Sequence, residues 1–113
     1  MGAMCCNASN DIANVHSPEE LLEFFRNQLS MYDSHIDSLK TLPVQKKVPK
    51  IRFYTKSFKT LVKFIIFIEK NINNINVEEI KYNFEDIMES IQSCSEDDFN
   101  KNSKKISNLL KIE

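Results

Sequence analysis

The sequence predicts an all-α protein, an antiparallel helical bundle of about four amphipathic helices that follows a flexible N-terminal tail. Apolar residues recur at alternating spacings of three and four in successive segments, which is the period of an amphipathic helix. Residues that cap helix N-termini stand directly before three of these segments. With 113 residues, 42% of them hydrophobic, the chain is long enough for one domain around one core. We therefore predict a tail over residues 1–16 and a single helical domain over 17–113.

The first predicted helix covers residues 18–42. Ser17 can cap it, Pro18 suits the first helical position, and Glu20 completes a capping box. A break near Ser30–Asp33 is an alternative, because Ser and Asp side chains compete with the helix backbone for hydrogen bonds. The apolar stripe comprises Leu22, Phe25, Leu29, Tyr32, Ile36 and Leu39.

Pro43 and Pro49 bracket a segment that should form an extended connection, since the residue before a proline disfavours the helical region. The next helix should lie centrally and be buried almost all round. Residues 61–68 within it are also rich in strand formers, which leaves a short strand as the alternative. Its stripe comprises Ile51, Tyr54, Phe58, Leu61, Ile65, Ile68, Ile72 and Ile75.

Two further helices are predicted after the asparagine-rich break at residues 71–76. Asn76 and Ser95 are their capping residues, and acidic side chains in each first turn complement the helix dipole. Cys94 falls on the apolar stripe of the first of these helices and should be a buried small hydrophobe.

Charge is strongly segregated along the chain, although the net charge is only −1. Residues 40–63 carry eight basic side chains and no acid, whereas residues 77–98 carry eight acids and one lysine. The two segments could pair with each other, or the first could form a basic surface for an anionic partner. The abundance of Lys, Ile and Asn is also typical of an AT-rich genome, which weakens the inference from lysine content. The candidate partner-binding surface comprises Lys46, Lys47, Lys50, Arg52, Lys56, Lys59 and Lys63.

Signals for catalysis are poor, and we predict a non-enzymatic protein without a cofactor or metal. A single glycine excludes the usual glycine-rich phosphate loops. The adjacent Cys5 and Cys6 lack the two-to-four-residue spacer of zinc-finger ligands. Three cysteines make no disulfide framework, which favours a reducing, intracellular and cytoplasmic location.

The N-terminus has two interpretations. Gly2 could be myristoylated after loss of Met1, with Cys5 and Cys6 as palmitoylation sites that would complete a membrane anchor. Alternatively, residues 2–4 are a cloning remnant and the natural start is Met4.

Residues 38–64 resemble the N-terminal helical domain of RNA polymerase II elongation factors. The matching positions are Leu42-Pro43-Val44, Thr55 and Lys59, whereas Ser57-Phe58 replaces the Ile-Gly of that pattern. The resemblance implies a protein-binding scaffold in transcription and hence a nuclear location.

These observations favour an adaptor or scaffold whose basic surface meets an acidic protein partner, with a membrane tether if the N-terminus is acylated. The alternative is a nuclear scaffold or nucleic-acid-binding module that uses residues 40–63, where aromatic side chains interleave with the basic ones. The heptad-like stripes could also support a homodimer.

Overall fold

A computed structural model describes residues 12–111, and this part of the chain is an all-α helical bundle, as predicted. No strand forms within these residues, so the alternative of a strand at 61–68 is wrong. A short 3-10 helix at Ile12–Asn14 precedes five α-helices: α1 (Pro18–Ser30), α2 (Tyr32–Asp37), α3 (Val44–Lys70), α4 (Val77–Gln92) and α5 (Glu96–Leu110). The four predicted helices are all present, the first of them divided into α1 and α2.

The predicted caps form. The Ser17 side chain accepts a hydrogen bond from the backbone N–H of Glu20, whose carboxylate accepts the backbone N–H of Ser17 in return. The pKa of Glu20 is lowered mainly by the backbone N–H of His16, which donates to its carboxylate at 3.2 Å, and next by the Ser17 hydroxyl. Asn76 and Ser95 cap α4 and α5 through hydrogen bonds from the third residue of each helix. Local capping chemistry therefore sets where three of the five helices begin.

The break in the first helix falls at Met31, within the predicted interval. Just before it, the Ser30 hydroxyl donates to the carbonyl of Asn27 at 2.7 Å, a back-bond that competes with the helical ladder. After α2, turns lead to Pro43, so the predicted continuation of helix through residue 42 is wrong.

The predicted extended connection between Pro43 and Pro49 is also wrong, because α3 begins at Val44. Pro43 adopts the extended conformation that an N-cap requires, with φ −61° and ψ 152°, and its carbonyl accepts the N–H of Lys47 at 2.9 Å. Pro49 lies inside the helix, where its missing N–H removes one backbone hydrogen bond. That loss falls near the start of a 27-residue helix whose later turns pack against the core.

The core lies where α3 packs against α1 and α5, and where α4 packs against α5 and α1. Its fully buried side chains include Phe25, Leu61, Phe64, Phe84 and Ile106. Phe84 joins two helices, since its ring centroid lies 3.9 Å from that of Phe25 and 5.6 Å from that of Phe24.

The other side of α3 is open, so the prediction that this helix is buried all round is wrong. Phe58 is 39% exposed and Ile66 is 47% exposed. The shortest dimension of the molecule is 20 Å, which is about two helix diameters. In a bundle this thin, even the longest helix keeps an outward face.

Cys94 is not on a helix, contrary to the prediction. Helix α4 ends at Gln92, and Cys94 follows in the left-handed conformation with φ 54°. The N–H groups of Cys94 and Ser95 donate to the carbonyls of Ile91 and Ser90, a Schellman motif that closes the helix. The thiol is therefore half-buried beside the core instead of within it.

The predicted tail ends earlier than residue 16. Ile12 and Val15 are buried, and the Lys81 ammonium donates to the carbonyl of Val15 at 2.9 Å. Apolar burial and this hydrogen bond hold residues 12–15 against α4. The remainder of the predicted tail, residues 1–11, lies outside the described residues.

Candidate interaction surface

The outward face of α3 carries a row of four basic side chains, which we call the basic stripe: Arg52, Lys56, Lys59 and Lys63. Their spacings of four, three and four residues place them on one side of the helix, since successive residues turn by about 100°. All four residues are exposed. The periodicity of α3 thus places four of the eight basic side chains of residues 40–63 on a single surface.

The other three predicted site residues, Lys46, Lys47 and Lys50, do not join the basic stripe. They occupy the first two turns of α3, on the side of the helix that becomes buried in later turns. Lys50 and Lys47 are partly buried, and the Lys50 ammonium lies 3.9 Å from the Cys94 sulfur. The seven predicted residues therefore form two groups that face different directions.

Pairing between the basic and acidic segments is limited to one contact on the basic stripe. Lys56 lies 3.1 Å from the carboxylate of Glu96, the first residue of α5. Within residues 12–111, no carboxylate lies within ion-pair distance of Arg52, Lys59 or Lys63. Most of the positive charge on this face is therefore available to an external anion.

An apolar groove of about 400 Å³ adjoins the basic stripe. We call it the α2–α3 groove, and its lining residues are Tyr32, Asp33, Ile36, Tyr54, Thr55, Phe58 and Lys59. Of these, Ile36 from α2 is 42% exposed and Phe58 from α3 is 39% exposed. A shallower depression next to the groove also contains Thr55 and Lys59, and Arg52 and Lys56 of the basic stripe line it. The groove and the basic stripe therefore form one continuous surface.

Packed rings and a hydrogen-bond chain form the floor of the α2–α3 groove. The Tyr32 ring meets the Phe58 ring edge to face at 5.3 Å. The Ser57 hydroxyl donates to the carbonyl of Tyr54 at 3.0 Å, so the Tyr32 hydroxyl must donate to Ser57, at 2.7 Å. Burial raises the pKa of Tyr32 to about 12. The floor consequently remains uncharged well above neutral pH.

His35 and Cys94 complete the surroundings of Tyr54. The His35 ring stacks on the Tyr54 ring with centroids 5.3 Å apart and an interplanar angle of 13°. The Tyr54 hydroxyl lies 3.4 Å from the Cys94 sulfur, and burial, followed by this hydrogen bond, raises the pKa of Tyr54 to about 12. The face of this aromatic ring is thus already covered by a neighbour from its own chain.

A second concavity, of about 260 Å³, lies where the α3–α4 connection meets the end of α5. Two of its asparagines already serve the local fold. The Asn71 amide donates to the carbonyl of Phe67 at 3.0 Å, and Asn76 caps α4. The side chains of Asn71 and Asn76 thus stabilise the end of α3 and the start of α4, and neither indicates a ligand site.

Neither the α2–α3 groove nor the burial of Lys81 is predicted by the sequence pattern. Ile36 and Phe58 were both placed on core stripes, and their exposure arises because the chain breaks at Met31 and α2 covers only part of α3. Lys81 is only 1% exposed, and its ammonium lies 3.2 Å from the Glu78 carboxylate. Its hydrogen bond is the main cause that lowers the pKa of Glu78.

Gly2, Cys5 and Cys6, the predicted lipidation residues, lie outside the described residues. Along residues 12–111, the structure has no helix with the length and apolar character that crossing a bilayer requires. The same residues contain no group of three or more His, Cys, Asp and Glu side chains placed to hold a metal ion.

Comparison of the chain with protein-family models, curated proteins and solved structures gives no match. The resemblance of residues 38–64 to transcription elongation factors therefore stays a sequence-based prediction.

Proposed function

We propose that this chain is a non-enzymatic adaptor of the cell interior, and that the basic stripe binds an acidic surface on a protein partner. The supporting observation is that three of its four cations have no carboxylate within ion-pair distance among residues 12–111. Unpaired charge of one sign on a rigid helix favours association with the opposite charge and steers the encounter.

Nucleic acid is the alternative anionic partner, and two features weigh against it. Single-stranded nucleic acids need exposed aromatic faces on which bases stack. Here Tyr54 is buried and its ring is stacked on His35, so Phe58 is the one exposed aromatic residue among those that line the groove, and a single ring does not form a row of stacking platforms. Lysines also predominate over arginine in the basic stripe, whereas Arg presents the planar donor fork that suits phosphate.

Selection from a displayed library of random 16-residue peptides tests the proposal. We expect the enriched peptides to carry net negative charge. Their affinity should fall about tenfold or more when Arg52, Lys59 and Lys63 are all changed to Glu, because attraction becomes repulsion.

The matched control changes Lys101, Lys104 and Lys105 to Glu. These three exposed lysines lie on α5, so the net charge changes by the same amount. Equal losses from both variants would mean that only overall charge matters and would contradict a defined site. Tighter binding of a 20-nucleotide single strand than of any peptide, with a steep fall in affinity as salt rises, would favour the nucleic-acid alternative.

The membrane tether is a separate part of the proposal. The intact mass of the N-terminal peptide from the natural source tests it. Myristate on Gly2, or acyl groups on Cys5 and Cys6, would establish the tether. A chain that is unmodified or begins at Met4 would remove it.

A further inference from the structure

We infer that the α2–α3 groove receives the apolar side chains of an acidic amphipathic helix, which the basic stripe holds by its carboxylates. This inference rests on the proposed function and specifies the class of partner. The occupant is a helix that carries acids along one edge of its apolar face.

Apolar side chains are exposed within a concave part of the surface. Ile36 and Phe58 come from different helices, both line the same groove, and each residue is about two-fifths exposed. The groove volume of about 400 Å³ lies within the range of typical ligand pockets, roughly 300–1,000 Å³. Single exposed apolar residues are common, but a pair that lines one cavity provides the anchoring site of helix-in-groove recognition.

Basic side chains along the rim of the groove complement acids on a partner helix. Lys59 borders both the α2–α3 groove and the adjoining depression, and Arg52 and Lys56 continue the same edge. Asp33 is the only acid among the lining residues of the groove. From Arg52 to Lys63 the basic stripe runs about 17 Å, which is the length of about three helical turns.

Geometry separates this partner from an anionic membrane, which also combines apolar and negative character. Insertion into a bilayer requires apolar side chains that project from the surface. Here Ile36 and Phe58 line a concavity, with the Tyr32 ring at its floor. A flat lipid surface cannot reach such a floor, whereas the ridge of a helix can.

The same peptide selection tests this inference, with a different readout. Enriched peptides should carry bulky apolar residues at helical spacings of three and four, in addition to acids. Phe58→Ala should weaken their binding about tenfold or more, as expected for a central anchor contact. Ile66→Ala is the matched control, because Ile66 is similarly exposed on α3 but lies outside the groove lining, and it should change affinity less than about twofold.

Backbone amide NMR of the unmodified protein with an enriched peptide provides a measurement that does not depend on variant folding. The largest shifts should fall on Ile36, Thr55 and Phe58. Shifts centred instead on the concavity at residues 71–76 would overturn the inference.

The outcomes distinguish the inference from the proposed function. The enriched peptides could be acidic but lack spaced apolar residues, and their affinity could fall in the basic-stripe variant but not in Phe58→Ala. That result would refute binding in the groove and leave the proposed adaptor function standing. Failure to enrich any acidic peptide would refute both. Sedimentation with phosphatidylserine-containing vesicles that Phe58→Ala abolishes would overturn the choice of a helix in favour of a lipid surface.

Discussion

Replacing Lys81 with Met should destabilise the protein through the N-terminal segment that packs on α4. Met retains an unbranched apolar stem of similar length but removes the ammonium that donates to the Val15 carbonyl at 2.9 Å. Hydrogen bonds that involve a charged group contribute about 1.5–3 kcal/mol, and the carbonyl would be left without this donor. Detachment would also expose Ile12 and Val15, a loss of about 1.5–3 kcal/mol each. The freedom regained by the four residues of the segment, about 1–2 kcal/mol each, is similar in size to that burial loss, so the net cost is about that of the hydrogen bond.

We therefore expect the free energy of unfolding to fall by about 2 kcal/mol in Lys81→Met, which corresponds to roughly 8–10 °C in Tm for a domain of this size. Urea unfolding followed by circular dichroism measures it. Lys101→Met is the control, because Lys101 is exposed on α5 and its change should stay within about 0.5 kcal/mol. A loss below about 0.5 kcal/mol for Lys81→Met would refute the argument that this lysine fixes the segment.

The same substitution has a signature in pH. The hydrogen bond from Lys81 holds the pKa of Glu78 below its ordinary value of 4.5, so the carboxylate stabilises the fold above that pH. This contribution is lost as the pH falls through the lowered pKa. In Lys81→Met, an NMR titration should show the pKa of Glu78 returning upward, and an unchanged value would contradict the contact.

Three further predictions concern the bundle. Because burial raises the pKa of Tyr32 to about 12, unfolded chains ionise first above pH 10, so stability should decline by up to about 2–3 kcal/mol between pH 10 and 12. Tyr32→Phe should lack that part of the decline in urea unfolding, and identical slopes would refute the assignment. Phe84→Ala should cost about 3–5 kcal/mol, measured in the same way, since the ring is fully buried against Phe24 and Phe25. Pro49→Ala should raise the free energy of unfolding by about 1–3 kcal/mol by restoring a helical hydrogen bond, and a lower value would show that the proline assists α3.

Helix starts could be predicted from the sequence because capping is local. Ser17, Asn76 and Ser95 each accept a hydrogen bond from a residue three positions later, so a short stretch of sequence is enough to predict where α1, α4 and α5 begin. For Pro49, a local rule gave the wrong prediction, an extended segment in place of a helix. The effect of a proline on the backbone is also local, but packing along the later turns of α3 outweighs it. That packing cannot be read from the few residues around Pro49.

The buried lysine and the groove depend on contacts between distant residues. Lys81 meets a carbonyl 66 positions earlier in the chain, so its environment could not be read from its neighbours in sequence. Periodicity placed Ile36 and Phe58 on apolar stripes, but how much of a stripe is covered depends on the length of the helix packed against it. The basic stripe could be predicted in part. Helical spacing correctly groups its four members, but the same spacing separates them from Lys46, Lys47 and Lys50, which were predicted to belong to the same surface.

Helix α2, which forms one wall of the α2–α3 groove, is only six residues long, and no side chain caps its first turn. So short a helix has little stability of its own and depends on its packing against α3. Local opening of residues 32–37 should therefore require less free energy than opening of the long helix that forms the opposite wall. Amide hydrogen exchange should be faster in α2 than in the buried turns of α3. The width of the groove is thus set by the less stable of its two walls, and a partner that rigidifies α2 gives up part of its binding energy to do so.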